Sequence, residues 1–378
     1  MPAVTVPIEI TDPINARILA VSEDRIAGFV ADPFAEIAAQ AGVSIATVLE
    51  RLRAMLAAGT IRRIRQTLLS TNLAPGALVA WHMPAERLDE AFDVLVQDDP
   101  FSGHVVIRST DSVTPGSVYR LWSTLKVPTG FAMAKHCDYL LERTGGIAYR
   151  MMPAKRLFAL GVGHVRRKTI EPGARAERLG EVIDTEIVSL SPLEWRVLER
   201  LKAELQIEEV RSDPWHERAS QAGVSHAEFC EVASTLVARG VIGRFSTFLE
   251  HVKPSAGGTR VTRYNALFHW QVPAGREVEA GREVGRHFIV THAYWREGGP
   301  EFGNVNIMAV VHGTDKAVVL AHKSAIDAHL REAGIAIGYT NVFWGGRSEI
   351  KPSEISPNAY RDWCQNVGLS PTDMAEHS

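Results

Sequence analysis

A chain of 378 residues exceeds one ordinary domain and suits roughly two to four. Its 46% hydrophobic and 22% charged residues are those of a soluble globular protein, and a net charge of −3 gives no general attraction for nucleic acid or membrane. Cys137, Cys230 and Cys364 have no metal or redox spacing, no apolar run nears the ~20 residues of a membrane span, and 1–4 do not open a secretion signal, so the expectation is a cytoplasmic protein without disulfides.

In chain order, residues 11–70 read as a winged helix-turn-helix. A short helix at 16–21 is followed by a second that starts at Pro33 and keeps Phe34, Ile37, Ala38 and Ala41 on one face. Gly42 stops it, Ser44 caps a third helix that turns Val48, Leu49, Leu52 and Met55 inward, and Gly59 leads into the strand Ile61-Arg62-Arg63-Ile64. Residues 71–165 then give strand 77–84, helix 86–97, strand 104–110, strand 118–127, helix 131–143 and strand 147–152. That order is the ferredoxin-like split βαβ motif. A charged, Pro- and Gly-containing stretch, 166–189, reads as a linker.

The chain then repeats itself. Asp32-Pro33-Phe34, Ala41-Gly42-Val43-Ser44 and the wing strand return 181 residues later as Asp213-Pro214-Trp215, Ala222-Gly223-Val224-Ser225 and Ile242-Gly243-Arg244-Phe245, and 16 of 39 aligned positions are identical. A second winged module (190–251), opened by a capping box from Ser191 to Glu194, precedes a second ferredoxin-like domain (252–350) with strand 264–272, helix 276–286, strands 288–296 and 305–312, helix 316–333 and strand 335–343. Residues 351–378 read as a polar tail with a poorly ordered end. The fold class is therefore α+β, a tandem repeat of two domain pairs. Such halves are expected to meet about a pseudo-two-fold axis as an intramolecular pseudo-dimer, open to further homo-oligomer formation.

This architecture resembles that of the Lrp/AsnC proteins. Several segments are similar to the siroheme decarboxylase branch: the first wing strand, Met152-Pro153-Ala154-Lys155-Arg156-Leu157-Phe158-Ala159-Leu160-Gly161-Val162, Tyr119-Arg120-Leu121-Trp122 and His292-Ala293-Tyr294-Trp295-Arg296. The resemblance covers about 12–165 and 190–345 and implies a fused pair of related subunits. It also implies a lyase that removes carboxylates from acetate arms of siroheme or a related tetrapyrrole, in alternative haem or haem d1 synthesis. The iron tetrapyrrole would be substrate, and no cofactor is required. The family's Tyr-Asn-hydrophobic-Trp strand is altered in both halves, and the loops before it, 109–117 and 297–303, are long. They read as lids or, by default, as surface insertions.

Decarboxylation requires the leaving carboxylate to be held and a proton delivered to carbon, for which His or Tyr is the usual donor. His104-x-x-x-Arg108 and His292-x-x-x-Arg296 fall on the second strand of each ferredoxin-like domain, where i and i+4 share a face, with Tyr294 between the latter pair. His292, His104 and Tyr294 are the candidate catalytic groups, and either His is also a candidate axial ligand of substrate iron, no other metal site being expected. Arg62, Arg63, Arg108, Tyr119, Arg120, Arg244, Arg296 and Asn306 are the candidate substrate-binding set, because Arg forks match carboxylates. Arg62, Arg63, Arg65 and Arg244 also read as phosphate contacts of a wing, or as a solvated strand edge. Trp122, Trp270 and Trp295 read as walls for a flat ring or, in preference, as packing, and the lone His164, His312 and His322 as structural or exposed.

A DNA-binding regulator is the second reading, and a tetrapyrrole sensor without turnover the third. DNA is disfavoured: the first recognition helix offers only Arg51 and Arg53, and residues 190–250 carry 7 basic against 10 acidic side chains.

Overall fold

The computed structural model describes residues 6–160, 170–183, 186–250 and 263–376. They fall into two compact units, one formed by the chain up to residue 72 with 188–263, the other by 73–160, 170–187 and 264 onward. The chain is a repeat of winged helix-turn-helix and ferredoxin-like domains, but its units group like with like.

In the first unit, helices α1 (Pro13–Ser22), α2 (Pro33–Ala41) and α3 (Ile45–Ala57) lead to strand β2 (Ile61–Leu68), after a two-residue strand β1 (Ile26–Ala27). Asp12 caps α1 by accepting from the amides of Ile14 and Asn15 at 3.0 Å, and Ser44 caps α3 through the Thr47 amide. Gly42 ends α2 with φ 62, a left-handed value that glycine adopts without strain. The second copy gives α6 (Pro192–Lys202), with its Ser191–Glu194 capping box, then α7 (His216–Gln221), α8 (His226–Ala238) and β8 (Ile242–Leu249). The two wing strands pair antiparallel with each other in the sheet order β1-β8-β2, above a core that includes Phe34, Trp215, Phe229 and Phe245.

The second unit holds β3 (Gly76–His82), α4 (Leu88–Gln97), β4 (Ser102–Ser109), β5 (Tyr119–Lys126), α5 (Met133–Thr144), β6 (Ala148–Pro153) and β7 (Arg156–Leu160) from half one. Half two contributes β9 (Tyr264–Gln271), α9 (Glu277–Gly285), β10 (Val290–Trp295), β11 (Ile307–Gly313), α10 (Lys316–Glu332), β12 (Tyr339–Ile350) and α11 (Pro357–Asn366). The sheet order is β6-β3-β5-β4-β12-β9-β11-β10-β7, so each half contributes a ferredoxin-like group of four.

The joins between halves are reciprocal. β12 leaves β9 near Gly345 and continues alongside β4, with Gly345 opposite Arg108 and Ile350 opposite His104. Just past β6, β7 does the same alongside β10, with Leu160 opposite His292 and Arg156 opposite Trp295. One face of each four-strand group packs under its own helices. The other faces share a core of Ala80, Val106, Trp122 and Met152 from half one with Leu267, Met308, Phe302 and Phe343 from half two.

Three expectations need correction. The segment expected as a linker is docked in its described part, since Ile183 bridges to Leu157, Arg175 to His287, and the amide of Gly180 donates to Arg282 O. The loops at 109–117 and 297–303 are more than surface insertions: residues 111–113 are exposed, but both loops are anchored. Asn341 donates to Thr114 at 2.7 Å, Trp344 Nε1 to Asp111 at 2.9 Å, and Phe302 is fully buried between the halves. Gly116, with φ +85, lies where any Cβ would overlap the Phe302 ring. The tail is not loose either: α11, capped by Ser356, buries Tyr360, Trp363 and Cys364 against half one.

Beneath α11, Asp99 and His136 form a fully buried pair at 3.3 Å, and His136 Nδ1 shares a hydrogen bond with the Tyr360 hydroxyl at 3.0 Å. Burial works to raise the Asp99 carboxyl, but His136 and hydrogen bonds from Ser102 and the Phe101 amide carry it below the ordinary carboxylate range. Trp363 covers this pair, its ring 4.7 Å from that of His136. Trp363→Ala is therefore expected to cost about 3–5 kcal/mol, the usual range for emptying such a site, read as a lower urea midpoint. An unchanged midpoint would mean that α11 is not part of the core.

Candidate active site between the two sheet faces

Strand alternation places His104, Val106 and Arg108 of β4, and His292, Tyr294 and Arg296 at β10, towards the shared core, because Val105 and Ile107, or Ala293 and Trp295, face the helices. The two rows are related by the repeat, and each arginine donates to a main-chain oxygen of the other half's last strand. Arg296 Nη1 donates to Met152 O, and Arg108 Nη1 to Phe343 O at 3.3 Å.

Their surroundings differ. At β10, the His292 and Tyr294 rings are parallel, 10° apart in plane with centroids 6.1 Å apart, and the Arg296 guanidinium lies 4.4 Å from the Tyr294 ring centre. His292 Nδ1 sits 3.1 Å from Thr291 Oγ1. Burial raises the Tyr294 hydroxyl pKa, partly opposed by Arg296, while burial lowers that of Arg296. At β4, Val106 takes the place of the tyrosine, Asn265 Oδ1 accepts from both terminal nitrogens of Arg108 at 3.3 Å, and His104 Nε2 is 2.8 Å from Ser348 Oγ. Burial pushes Arg108 down to about 9.

Not all expected site residues belong here. Arg120 is exposed: β5 bulges opposite the Trp81–His82 step, so Tyr119 takes the inward place and packs at a tilt against Phe302, ring centres 4.9 Å apart, while the extra residue is turned to solvent. Burial raises the Tyr119 pKa. Asn306 is a structural clamp, accepting from the Val272 amide at 2.8 Å and donating to Val272 O at 2.9 Å and Glu277 at 3.3 Å. Trp122 is buried in the shared core, whereas Trp270 and Trp295 are on helix-facing sides, donating to Asp327 and Glu297. His322 is buried in α10, His312 lies in β11, and His164 lies outside the described residues.

The wing arginines belong to the first unit. Arg63 is buried and ion-pairs with Glu204 at 2.8 Å. Burial and then Arg63 lower Arg65 to about 10, and its guanidinium lies 5.4 Å from the Phe248 ring centre. Arg244 is lowered by burial, against the pull of Asp24 and Glu23, and Arg62 is half-buried on β2. Arg51 of α3 is held by Asp12 at 3.2 Å, which removes one of the two basic groups a DNA-reading helix would have offered.

Sequence reasoning missed His269. It lies inward on β9, 1% exposed, among Trp122, Phe302 and Phe343, and among the described residues neither ring nitrogen has a hydrogen-bond partner. Its signal was a polar residue inside the apolar run Ala266-Leu267-Phe268-His269-Trp270.

Residues 29–62 match the family model "Siroheme decarboxylase NirDL-like HTH domain", and 262–340 match "AsnC-like ligand binding domain". The siroheme decarboxylase NirH subunit of Pseudomonas aeruginosa is 30% identical over 121 residues, 32% of this chain and 67% of that subunit. This chain belongs to the siroheme decarboxylase family. The siroheme decarboxylase of Hydrogenobacter thermophilus is 28% identical over 289 residues, 75% of this chain and 79% of its own. In fold, the crystal structure of the siroheme decarboxylase NirDL superposes with a TM-score of 0.65 at 20% identity, covering 94% of this chain and 99% of that one. A second NirDL structure, in co-complex with an iron-uroporphyrin III analogue, gives 0.63 at 20% identity over the same shares. Among the described residues of this family member, no helix is long and apolar enough to cross a membrane.

Burial, followed by Arg108 and Lys323, pushes His269 down to about 3, so the folded chain keeps it neutral while the unfolded chain protonates near pH 6.5. Below that pH the unfolded state binds the extra proton, and stability falls as pH falls. In His269→Leu, the loss of unfolding free energy between pH 6.5 and 5 should be smaller than in wild type by about 2 kcal/mol. Equal slopes in urea titrations would mean that His269 takes up its proton in the folded state as well.

Proposed function

We propose that this chain decarboxylates acetate side chains of siroheme or a closely related iron tetrapyrrole, and that the chemistry takes place at His292. The observation that carries this reading is the row of imidazole, phenol and guanidinium on one face of β10, set against the other half's main chain. Family membership supplies the reaction class, and NirDL, whose fold this chain shares, has been crystallised with an iron-uroporphyrin III analogue.

The reaction breaks the bond between the acetate methylene and its carboxylate. Carbon dioxide leaves, the electron pair passes to the methylene carbon and into the macrocycle, and one proton completes a methyl group. In this reading the His292 imidazolium delivers that proton. Tyr294 holds the ring parallel to its own and offers a hydroxyl whose raised pKa keeps it a donor at neutral pH. Arg296, fixed by Met152 O and by the Tyr294 face, supplies positive charge to orient the carboxylate before it departs. The β4 row is the weaker candidate, because Asn265 and Phe343 O already engage Arg108 and no hydroxyl replaces Val106. The substrate's conjugated ring is the electron sink, so this chemistry asks for no organic cofactor.

Anaerobic incubation with siroheme, followed by mass spectrometry, tests the reading. Loss of one or more carbon dioxide units is expected, slowed 100-fold or more in His292→Ala, the usual effect of removing a general acid, and less than about tenfold in His104→Ala. The reverse ranking would move the chemistry to β4. Tight binding of unchanged pigment would favour a sensor.

A further inference from the structure

The repeat makes β4 and β10 equivalent, yet the opposite half brings a different group to each. Facing Arg108 is Asn265, which lies opposite Gly345 on β12 and opposite His312 on β11. Carrying the register across the repeat, with Met152 matched to Phe343, puts Gly76 where Asn265 stands and Lys126 where His312 stands. Arg296 therefore has no asparagine to serve it. The Lys126 ammonium occupies that place: a Cβ added to Gly76 would come within 2.8 Å of Lys126 Nζ. The φ of Gly76 is not in the left-handed region, so the backbone does not require glycine here, and what the residue supplies is room for the ammonium.

Lys126 follows Trp122 and Thr124 on the inward face of β5, and its side chain has no hydrogen-bond or ion-pair partner among the described residues. It is half-buried, and burial, followed by the charge of Arg296, pushes its pKa down to about 8. Among the described residues no carboxylate offsets that push. Two cations held near each other repel, and an anion lying between them removes the conflict.

We propose that Lys126 is a substrate-binding residue of the His292 centre, donated by the opposite half, and that its ammonium receives a peripheral carboxylate of the tetrapyrrole beside Arg296, fixing which arm lies against His292. This rests on the decarboxylase reading. A flat ring carrying acetate and propionate arms presents several carboxylates at its rim. A point charge on a flexible stem can hold one arm while the reacting arm is placed at the imidazole. At the β4 row the matching place holds Asn265, an uncharged acceptor for Arg108, and the strand position equivalent to Lys126 is His312, so among the described residues no lysine stands there to hold the ring in the same way.

The test is anaerobic titration of the full chain with iron uroporphyrin III and with siroheme, followed by the absorption band of the pigment. Lys126→Met is expected to raise the Kd for both at least tenfold and to leave the melting temperature unchanged or higher, because it replaces a crowded charge with an isosteric apolar chain. Lys126→Arg should retain most of the affinity. Gly76→Ala, which displaces the ammonium without altering net charge, should weaken binding in the same direction, and it carries the test if Lys126→Met does not fold. Wild-type affinity in both Lys126→Met and Gly76→Ala would overturn the proposal while leaving the decarboxylase reading intact. Failure of the wild-type chain to bind either pigment would instead sink that reading, and this one with it.

Discussion

The second unit depends on one exchange: the last strand of each ferredoxin-like half runs past its own sheet and hydrogen-bonds to the second strand of the other. β12 does this to β4, and β7, continuing from β6, does it to β10. Those second strands carry the two His-x3-Arg rows. Each row is thus bounded by main chain that its own half does not supply, and each arginine finds its carbonyl partner on the far side of the repeat. A ferredoxin-like half without its mate would leave these guanidinium groups without the acceptors that offset their burial.

Duplication followed by divergence then explains why the two rows are no longer alike. At β4 the arginine is fitted into a neutral hydrogen-bonded setting by Asn265, and the histidine is met by Ser348. At β10 the arginine instead meets Met152 O and the face of Tyr294, and burial lowers its pKa. Phe302 and the loop carrying Thr114 fill the remaining space between the halves, so the shared core is set by packing from both sides and not by one flexible cover.

The repeat, the order of elements and the His-x3-Arg rows were legible in the sequence for simple reasons. Gly42, Ser44 and Pro33 punctuate helices in both copies at one spacing, and a strand's two-residue period puts positions four apart on one face. What failed did so where one residue alters a register or where a side chain serves the backbone. The bulge at Tyr119–Arg120 reverses which residue points inward, and nothing in Tyr119-Arg120-Leu121-Trp122 announces it. Asn306 clamps Val272 across a strand start, a contact that only the fold creates. α11 was readable in retrospect: Ser356-Pro357 is a good helix opening, and Tyr360, Trp363 and Cys364 keep a helical period. The pairing of Gly76 with Lys126 required the observed register, because neither residue is unusual alone.

The exchange of last strands has a consequence for how this protein behaves at high concentration. β6 and β7 stand at opposite ends of the nine-strand order, yet Ala154 and Lys155 alone separate them in the chain. The order therefore closes on itself through a bent strand, as it does again where β12 turns from β9 to β4. A sheet of this size would ordinarily offer two rows of unpaired amides and carbonyls as templates for another chain's strand. Here the two ends are short pieces of one bent segment, six residues in β6 and five in β7, and edges this short are poor templates for strand-on-strand aggregation of the folded second unit.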